Sequence, residues 1–338
     1  MPGSRPLRGL FIRDSFVHGH QSEEIDPAAI EAERLHLAAI TGCDFRYWHF
    51  DKVAIEDPMS CNLRLVEVVS EHRPDFIFYH PSISSYLIHR NVRPEFLFIA
   101  RALTGASLVF SFGDVAYPYF AAYAAGYAAF GDVSVTWDGN GAKLAALAPP
   151  GKTILDLWTP TDRRVFRETG VERDIDVGVI GQTNNYRDRQ AMLAALKGLG
   201  IHVATGGGNE GEYLDVADYA RLFNRTRISL NFSKTKEGVT DQLKGRVFES
   251  ILCGALLFES ENEVTARFLT PYRHYVPFGD AADLAEKIRR YLADEPARRE
   301  MVAAAQAHVL STLTEEIWWQ RLLGAIDLSR AGGKVLRV

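Results

Sequence analysis

The sequence predicts an α/β protein with two doubly wound domains, each built on a parallel sheet. The chain has 338 residues, more than one hydrophobic core usually supports, so two domains of roughly 150 residues each are expected. Short apolar runs alternate with segments of helical periodicity, a pattern typical of parallel strands joined by crossover helices. The alternation breaks around 159–170 (TPTDRRVFRETG), where we place the connection between the domains.

The first predicted domain, 1–158, repeats a strand-helix unit. Asp26 before Pro27 is a predicted helix N-cap with proline at the first helical position, and the pair Arg73-Pro74 ends another helix. The predicted strands are 7–12, 45–50, 76–80 and 107–112, with 132–136 and 153–155 extending the sheet. The predicted helices are 27–40, 62–71, 94–103 and 118–129.

The second predicted domain, 171–312, begins a new sheet. Its predicted strands are 176–181, 201–204, 227–232, 255–258 and 274–277. Its predicted helices are 187–199, 216–224, 243–253, 283–292 and 296–310. A last helix, 315–326, carries Trp318 and Trp319 and belongs to a separate segment, 313–338.

The composition excludes several classes of protein. The hydrophobic fraction of 47% and charged fraction of 24% are those of a globular protein, and the net charge of −5 gives no electrostatic signature of nucleic-acid binding. The sequence contains no apolar run long enough to span a membrane, and its amino-terminal segment lacks a secretory apolar region, so a cytoplasmic protein is expected. Cys43, Cys61 and Cys253 show no C-x-x-C spacing and are expected to be reduced core thiols.

The segment 227–263 is the most informative part of the chain, because it predicts a strand, a polar loop, a short helix and another strand. A loop that leaves the carboxyl end of a parallel strand and enters a helix is a common ligand site, and its free amides favour phosphate. Such a loop suits a nucleotide diphosphate. Arg246 and Glu249 lie three residues apart on the polar side of the helix, where the alternative is an ion pair on a solvated surface.

This segment resembles the donor-binding segment of GT-B glycosyltransferases, in particular the CgeB/YkvP-like group. The matching positions are 230–232 (LNF), 246–249 (RVFE) and 253–255 (CGA), and the similarity extends over about 174–323. The resemblance implies two Rossmann-like domains facing a cleft, with a C-terminal helix that crosses back to the first domain. It also implies transfer of a hexosyl group from a nucleotide-diphosphate sugar to an acceptor in the cleft.

Two acidic residues gain a role from this resemblance. GT-B enzymes that retain stereochemistry commonly carry two acids with seven residues between them, and Asp241 and Glu249 have that spacing. Glu249 is expected to accept hydrogen bonds from the ribose hydroxyls, which suits a carboxylate with two acceptor oxygens. Asp241 is expected near the transferred sugar, although it is one methylene shorter than the usual glutamate.

The diphosphate is expected to bind basic side chains and glycine amides of the second domain. By resemblance, the loop 181–189 supplies Gly181 and a cation, either Arg187 or Arg189, whose fork fits phosphate oxygens. The alternative is that these arginines only decorate a helix start. Lys244 and Arg246 would neutralise charge on the departing nucleotide.

No metal is expected at the donor site, because the second domain contains no clear D-x-D loop. No other cofactor is expected, and the donor itself is a substrate. The glycine loop 205–209 (TGGGN) is not a dinucleotide fingerprint or a P-loop. It is either a flexible turn or a close approach of backbone to the nucleotide.

The acceptor side offers several candidates for a catalytic base. Asp14 and His18 follow the first predicted strand and Asp114 follows the fourth, so all three lie at the edge of the sheet that binds ligands. His20, His80 and Ser82 lie at the same edge. The alternatives are that His18 is a surface histidine and that Asp114 caps the following helix.

Three functions remain open from the sequence. The first is a glycosyltransferase whose partners are a nucleotide-sugar donor and an acceptor, which is a glycan, a protein or a small molecule. The second is a non-hydrolysing nucleotide-sugar epimerase of the same architecture, and the third is a non-catalytic nucleotide-sugar-binding protein. A dinucleotide oxidoreductase is disfavoured, because the sequence has no glycine fingerprint.

Overall fold

The protein forms two compact units in a computed structural model that describes residues 5–15, 24–57, 60–82, 91–208 and 214–330. Unit 1 contains the chain up to Thr136, Gly141–Leu157, and the chain from Trp319 onward. Unit 2 contains Trp137–Asn140 and Trp158–Trp318. Each unit has its own parallel sheet, which confirms the predicted α/β fold class with two parallel sheets.

The sheet of unit 1 has six strands in the order β2-β1-β3-β4-β5-β6, and every pairing is parallel. The strands are β1 (Arg8–Arg13), β2 (Asp44–His49), β3 (Phe76–Tyr79), β4 (Ser107–Phe112), β5 (Val133–Thr136) and β6 (Thr153–Asp156). The helices are α1 (Pro27–Thr41), α2 (Phe50–Glu56), α3 (Cys61–His72), α4 (Pro94–Thr104), α5 (Pro118–Ala128) and α6 (Gly141–Leu147).

The sequence explains why these elements form. β3 (FIFY) and β4 (SLVFSF) are buried along their whole length, as expected for parallel strands covered by helices on both faces. The side chain of Asp26 accepts a hydrogen bond from the backbone N–H of Ala28 (2.9 Å), which confirms the predicted N-cap of α1. α3 ends at Arg73, whose left-handed backbone (φ 49°) closes the helix before Pro74.

Unit 1 also receives one aromatic side chain from the helix near the end of the chain. α13 (Glu315–Arg330) follows the elements of unit 2, but its residues from Trp319 onward belong to unit 1. The ring of Trp319 lies 5.5 Å from that of Phe45 and 5.4 Å from that of Phe78. Trp319 is buried, so the sheet of unit 1 depends on it for part of its cover.

The sheet of unit 2 has five strands in the order β11-β10-β9-β7-β8, again all parallel. The strands are β7 (Ile175–Ile180), β8 (Ala204–Gly206), β9 (Thr226–Asn231), β10 (Leu256–Ser260) and β11 (Val276–Phe278). The helices are α7 (Arg187–Gly198), α8 (Val216–Arg225), α9 (Arg246–Leu252), α10 (Glu263–Ala266), α11 (Ala281–Ala293) and α12 (Glu295–Thr312).

Some elements of the structure differ from the prediction. The strand predicted at 201–204 lies at Ala204–Gly206, and the helix predicted from 243 starts at Arg246. Leu243 lies before the helix, and its backbone N–H donates to the carbonyl of Asp138 (2.8 Å). The short helices α2, α6 and α10 were not predicted, since four to seven residues are too few to show a period.

Two further expectations can be compared with the described residues. Cys43, Cys61 and Cys253 are free and buried, as expected. None of the helices described here combines the length and the apolar composition that crossing a membrane requires.

Candidate functional site

The carboxyl ends of β7 and β8 in unit 2 bring two glycine-containing loops together. The N–H of Gly181 donates to the carbonyl of Gly206 (2.8 Å). A Cβ atom at Gly208 would lie 2.2 Å from the backbone nitrogen of Gln182, so only glycine fits there. Residues 205–208 therefore pack their backbone closely against the loop after β7.

The guanidinium of Arg246 lies on this edge. Gly181 has φ 121°, and a Cβ atom there would lie 2.8 Å from the Cζ of Arg246, so the arginine occupies the space that a side chain would fill. Nη1 of Arg246 is buried and has no hydrogen-bond partner in the described part of the chain. A buried cationic donor without an acceptor is costly unless a ligand satisfies it. An anionic oxygen placed over Gly181 would do so.

Glu249 lies one turn after Arg246 on α9. Its Oε2 accepts a hydrogen bond from the hydroxyl of Tyr219 (3.2 Å), and its Oε1 would lie 3.2 Å from a Cβ atom on Gly245. Burial raises the pKa of the Glu249 carboxyl to about 7, against the opposing effects of the Arg246 charge and the Tyr219 hydrogen bond. Arg246 and Glu249 are therefore part of a partly desolvated site, and the alternative of a solvated ion pair does not fit.

A second acid at this edge, Glu259, was missed by the sequence analysis. It lies on β10 with 0% exposure, and its carboxylate accepts hydrogen bonds from Nδ2 of Asn231 (2.6 Å) and Nδ2 of Asn262 (3.1 Å). Burial raises its pKa to about 8, opposed by the Asn231 hydrogen bond and by the charges of Arg246, Lys244 and Arg189, in that order. The one sequence signal was a glutamate inside an otherwise apolar strand (LLFES).

Asp241 and Lys244 lie in the connection between β9 and α9. Oδ1 of Asp241 accepts a hydrogen bond from the hydroxyl of Ser233 (3.1 Å), and its backbone carbonyl accepts from Nδ2 of Asn140 (3.0 Å). The ammonium of Lys244 donates to the side-chain carbonyl of Gln242. Lys244 is one of the positive charges that act on Glu259, and Asp241 is held by Ser233 and Asn140.

The two arginines predicted for the loop after β7 have different environments. Arg187 is exposed at the first position of α7. Arg189 is 2% exposed; its guanidinium donates to the carbonyls of Gln182 and Phe232 and stacks on the ring of Tyr186 at 3.8 Å. Arg189 therefore ties the β7 loop to the end of β9. Its charge remains close enough to act on Glu259.

In unit 1, the predicted base Asp14 lies directly after β1 and close to a second acid, Asp51. Oδ1 of Asp14 is buried and lacks a hydrogen-bond partner among the described residues. Burial, together with the negative charge of Asp51, raises the pKa of Asp14 to about 7, despite the opposing charge of Arg13. Asp51 is fully buried and accepts hydrogen bonds from the N–H (2.6 Å) and hydroxyl (3.0 Å) of Ser15.

The predicted base Asp114 lies after β4, next to His80. Its backbone is left-handed (φ 56°), which is uncommon outside glycine. The N-cap residue of α5 is Tyr117, not Asp114, and the side chain of Tyr117 makes no capping hydrogen bond. Burial lowers the pKa of His80, with an opposing effect from Asp114, and Nδ1 of His80 lies 2.8 Å from the carbonyl of Ser111. The third predicted base, His18, lies outside the described residues.

The fold is that of GT-B glycosyltransferases. Anabaena HepE, solved with UDP and glucose, is 12% identical with a TM-score of 0.64, covering 95% of this chain and 99% of that one. Sucrose-phosphate synthase from Thermosynechococcus elongatus is 12% identical with a TM-score of 0.61, covering 97% and 100%. The β-glucosyltransferase of T4 phage is 13% identical with a TM-score of 0.54, covering 95% and 100%.

The family match covers a smaller part of the chain than the structural matches do. Residues 187–324 match a family model described as "Glycosyl transferase-like". The matched range contains α7, α9, β10 and the connection before α9. It therefore contains all the acidic and basic groups of the site in unit 2 described above. A search among curated proteins found no match.

The buried acid Glu259 predicts a pH-dependent stability. Its folded-state pKa lies above its ordinary value, so its ionised form is disfavoured in the folded protein. The corresponding stability is complete below pH 4.5 and is lost as the pH rises towards 8. Glu259→Gln should remove this loss, so its melting temperature should fall less between pH 5.5 and pH 8 than that of wild type.

Calorimetric melting curves at pH 5.5 and pH 8 measure this difference. Glu286→Gln is the matched control, since Glu286 is an exposed acid on α11 of the same unit. Equal changes in melting temperature for wild type and Glu259→Gln between the two pH values would contradict the prediction.

Proposed function

We propose that the protein is a glycosyltransferase, of the CgeB/YkvP-like group, that transfers a hexosyl group from a nucleotide-diphosphate sugar to an acceptor. The observation that carries this proposal is the position of Arg246, whose guanidinium covers Gly181 while Glu249 lies one helical turn away. A cation for the diphosphate and a carboxylate for the ribose diol are thus adjacent at the ligand-binding edge of a parallel sheet. The match over residues 187–324 supports the same assignment.

Within this proposal, Arg246 and Lys244 bind the diphosphate and stabilise the charge that grows on it as the glycosidic bond breaks. Arg187, exposed at the start of α7, is a further diphosphate ligand. Arg189 supports the loop rather than contacting the nucleotide, because its guanidinium already donates to two carbonyls. Asp241 lies nearer the transferred sugar, held by Ser233.

The test of the donor is a thermal-shift screen with UDP, GDP, ADP, CMP and dTDP. A ligand that binds only the native state stabilises it by about 2.7 kcal/mol at a hundredfold excess over its dissociation constant. UDP is the first candidate, because it is present in the similar HepE structure. Glu249→Gln should then weaken binding of the active nucleotide by roughly 1 to 3 kcal/mol, the scale of a lost hydrogen bond to a charged group.

Calorimetry measures this loss of affinity, and circular dichroism checks that Glu249→Gln keeps its fold. Glu286→Gln on α11 serves as the control and should bind like wild type. A flat response to every nucleotide would refute the glycosyltransferase proposal. Unchanged affinity in Glu249→Gln would refute only the ribose assignment.

The reaction is proposed to need no divalent metal, since Arg246, Lys244 and Arg187 provide the positive charge that a metal would otherwise supply. Transfer measured with an identified donor and acceptor should therefore keep its rate in excess EDTA. A complete loss that magnesium or manganese restores would show that a metal, and not these side chains, carries the phosphate charge.

The base that accepts the acceptor's proton is proposed to come from unit 1. Asp14 is preferred over Asp114, because burial raises the pKa of its carboxyl to about 7. A general base is most effective when its pKa lies near the pH at which the enzyme works. Asp14→Asn should lower turnover by about a hundredfold or more and leave donor affinity unchanged, as expected for an interaction made in the transition state.

This division of roles is tested by measuring turnover and donor dissociation constants for three variants, Asp14→Asn, Asp114→Asn and His18→Ala. If all three variants keep turnover within about threefold of wild type, roughly 0.7 kcal/mol, none of these residues is the base. A retaining mechanism, which needs no protein base, would then be the better interpretation.

A further inference from the structure

Tyr219 of α8 holds one of the two oxygens of Glu249. Its hydroxyl donates a hydrogen bond to Oε2 of Glu249 over 3.2 Å. Burial, and then the negative charge of Glu249, raise the pKa of Tyr219 above its ordinary value, so the phenol keeps its proton and remains a donor. The carboxylate therefore has one oxygen with a fixed partner.

The ring of Tyr219 is itself fixed by packing. It meets Phe223 edge-on at 5.2 Å and Phe166 edge-on at 6.2 Å. On a third side it lies under the glycine loop, where a Cβ atom at Gly207 would be 3.1 Å from Cδ2 of the ring. These neighbours leave the ring few other orientations, so the position of its hydroxyl oxygen is set by the fold.

The second oxygen of Glu249 has a different environment. Oε1 faces the backbone at Gly245, where a Cβ atom would lie only 3.2 Å away. Tyr219 on one oxygen and Gly245 beside the other fix the plane of the carboxylate. Oε1 and the remaining lone pair of Oε2 can then accept hydrogen bonds from two vicinal hydroxyls.

We propose that Tyr219 is a positioning and specificity-determining residue, which orients Glu249 so that a ribonucleoside diphosphate is preferred over its 2′-deoxy form. The inference rests on the proposed function, because it assumes that Glu249 receives the ribose. Removing the Tyr219 hydroxyl frees the carboxylate to rotate, and the two-point contact with the diol is lost. A 2′-deoxyribose, which offers one hydroxyl, depends less on this orientation.

The ionisation of Glu249 gives a second readout. Among the described residues, the titratable groups that interact with it are Arg246 on α9, Cys253 directly after α9, and Tyr219 on α8. Only the ionised carboxylate accepts two hydroxyl hydrogen bonds, so binding should strengthen as the pH rises through about 7. The Tyr219 hydrogen bond lowers this pKa, and its removal should move the midpoint to higher pH.

The experiment compares UDP with 2′-deoxy-UDP by calorimetry in wild type and Tyr219→Phe, which keeps the packed ring. We expect wild type to prefer UDP by about tenfold or more, the effect of 1.4 kcal/mol. In Tyr219→Phe the preference should fall to about threefold or less, chiefly through weaker UDP binding. Tyr291→Phe, a buried tyrosine of α11 in the same unit, is the control and should match wild type.

Two further measurements separate positioning from general packing. The dissociation constant of UDP between pH 5.5 and 8.5 should show a midpoint shifted upward in Tyr219→Phe. In a Glu249→Gln background, Tyr219→Phe should cause no additional loss, because its effect passes through that carboxylate.

Distinct results would overturn the inference. Unchanged preference for UDP and an unchanged pH midpoint in Tyr219→Phe would refute the role of Tyr219 while leaving the proposed function intact. Equal weakening of both nucleotides with the same midpoint would show that the hydroxyl serves packing alone. Failure of wild type to bind either nucleotide would overturn the UDP donor and this inference together.

Discussion

The guanidinium of Arg246 lies against the backbone of Gly181, and the two buried acids of unit 2, Glu249 and Glu259, interact with this partly buried cation. Removing a guanidinium from water is expensive, so neighbouring charge must offset the cost. The carboxylates of Glu249 and Glu259 lie close enough for Arg246 to oppose the rise in their pKa values. The arginine charge thus favours the ionised form of both carboxyls, while their burial favours the neutral form.

Two arginines that look alike in the sequence have different roles in this arrangement. Arg189 and Arg246 both lie at the carboxyl edge of the sheet. Arg189 donates from both of its terminal nitrogens to backbone carbonyls, whereas the terminal nitrogen Nη1 of Arg246 is buried and has no partner in the described chain. Burial alone therefore does not identify a ligand-binding cation. The hydrogen bonds that the fold already satisfies decide which charge remains for a substrate.

The sequence predicted the fold well and the site only in part, for physical reasons. Buried parallel strands such as β4 are continuous apolar runs, and caps such as Asp26 have a local chemical signature, so both can be recognised without tertiary contacts. The start of α9 was predicted three residues too early, since the segment before it contacts a distant part of the chain through the hydrogen bond from Leu243 to Asp138, which has no local sequence pattern.

The same difference between local signals and long-range contacts applies to the site residues. The spacing of Arg246 and Glu249 was visible in the sequence, but the burial that raises the pKa of Glu249 requires α8 and its Tyr219. Glu259 was missed because its partner Asn231 lies on a neighbouring strand, and pairing between strands has no local pattern. Residues whose roles depend on contacts between distant segments can be recognised only in the folded protein.

The path of α13 has a consequence for how the protein is made. Trp319 covers Phe45 and Phe78 in unit 1, yet it is synthesised after every strand of unit 2. On the ribosome, unit 1 must therefore wait with part of its apolar surface uncovered while the whole of unit 2 emerges. Unit 2 can complete its own sheet from a nearly continuous segment, so it is the part of the chain suited to reach its native state first.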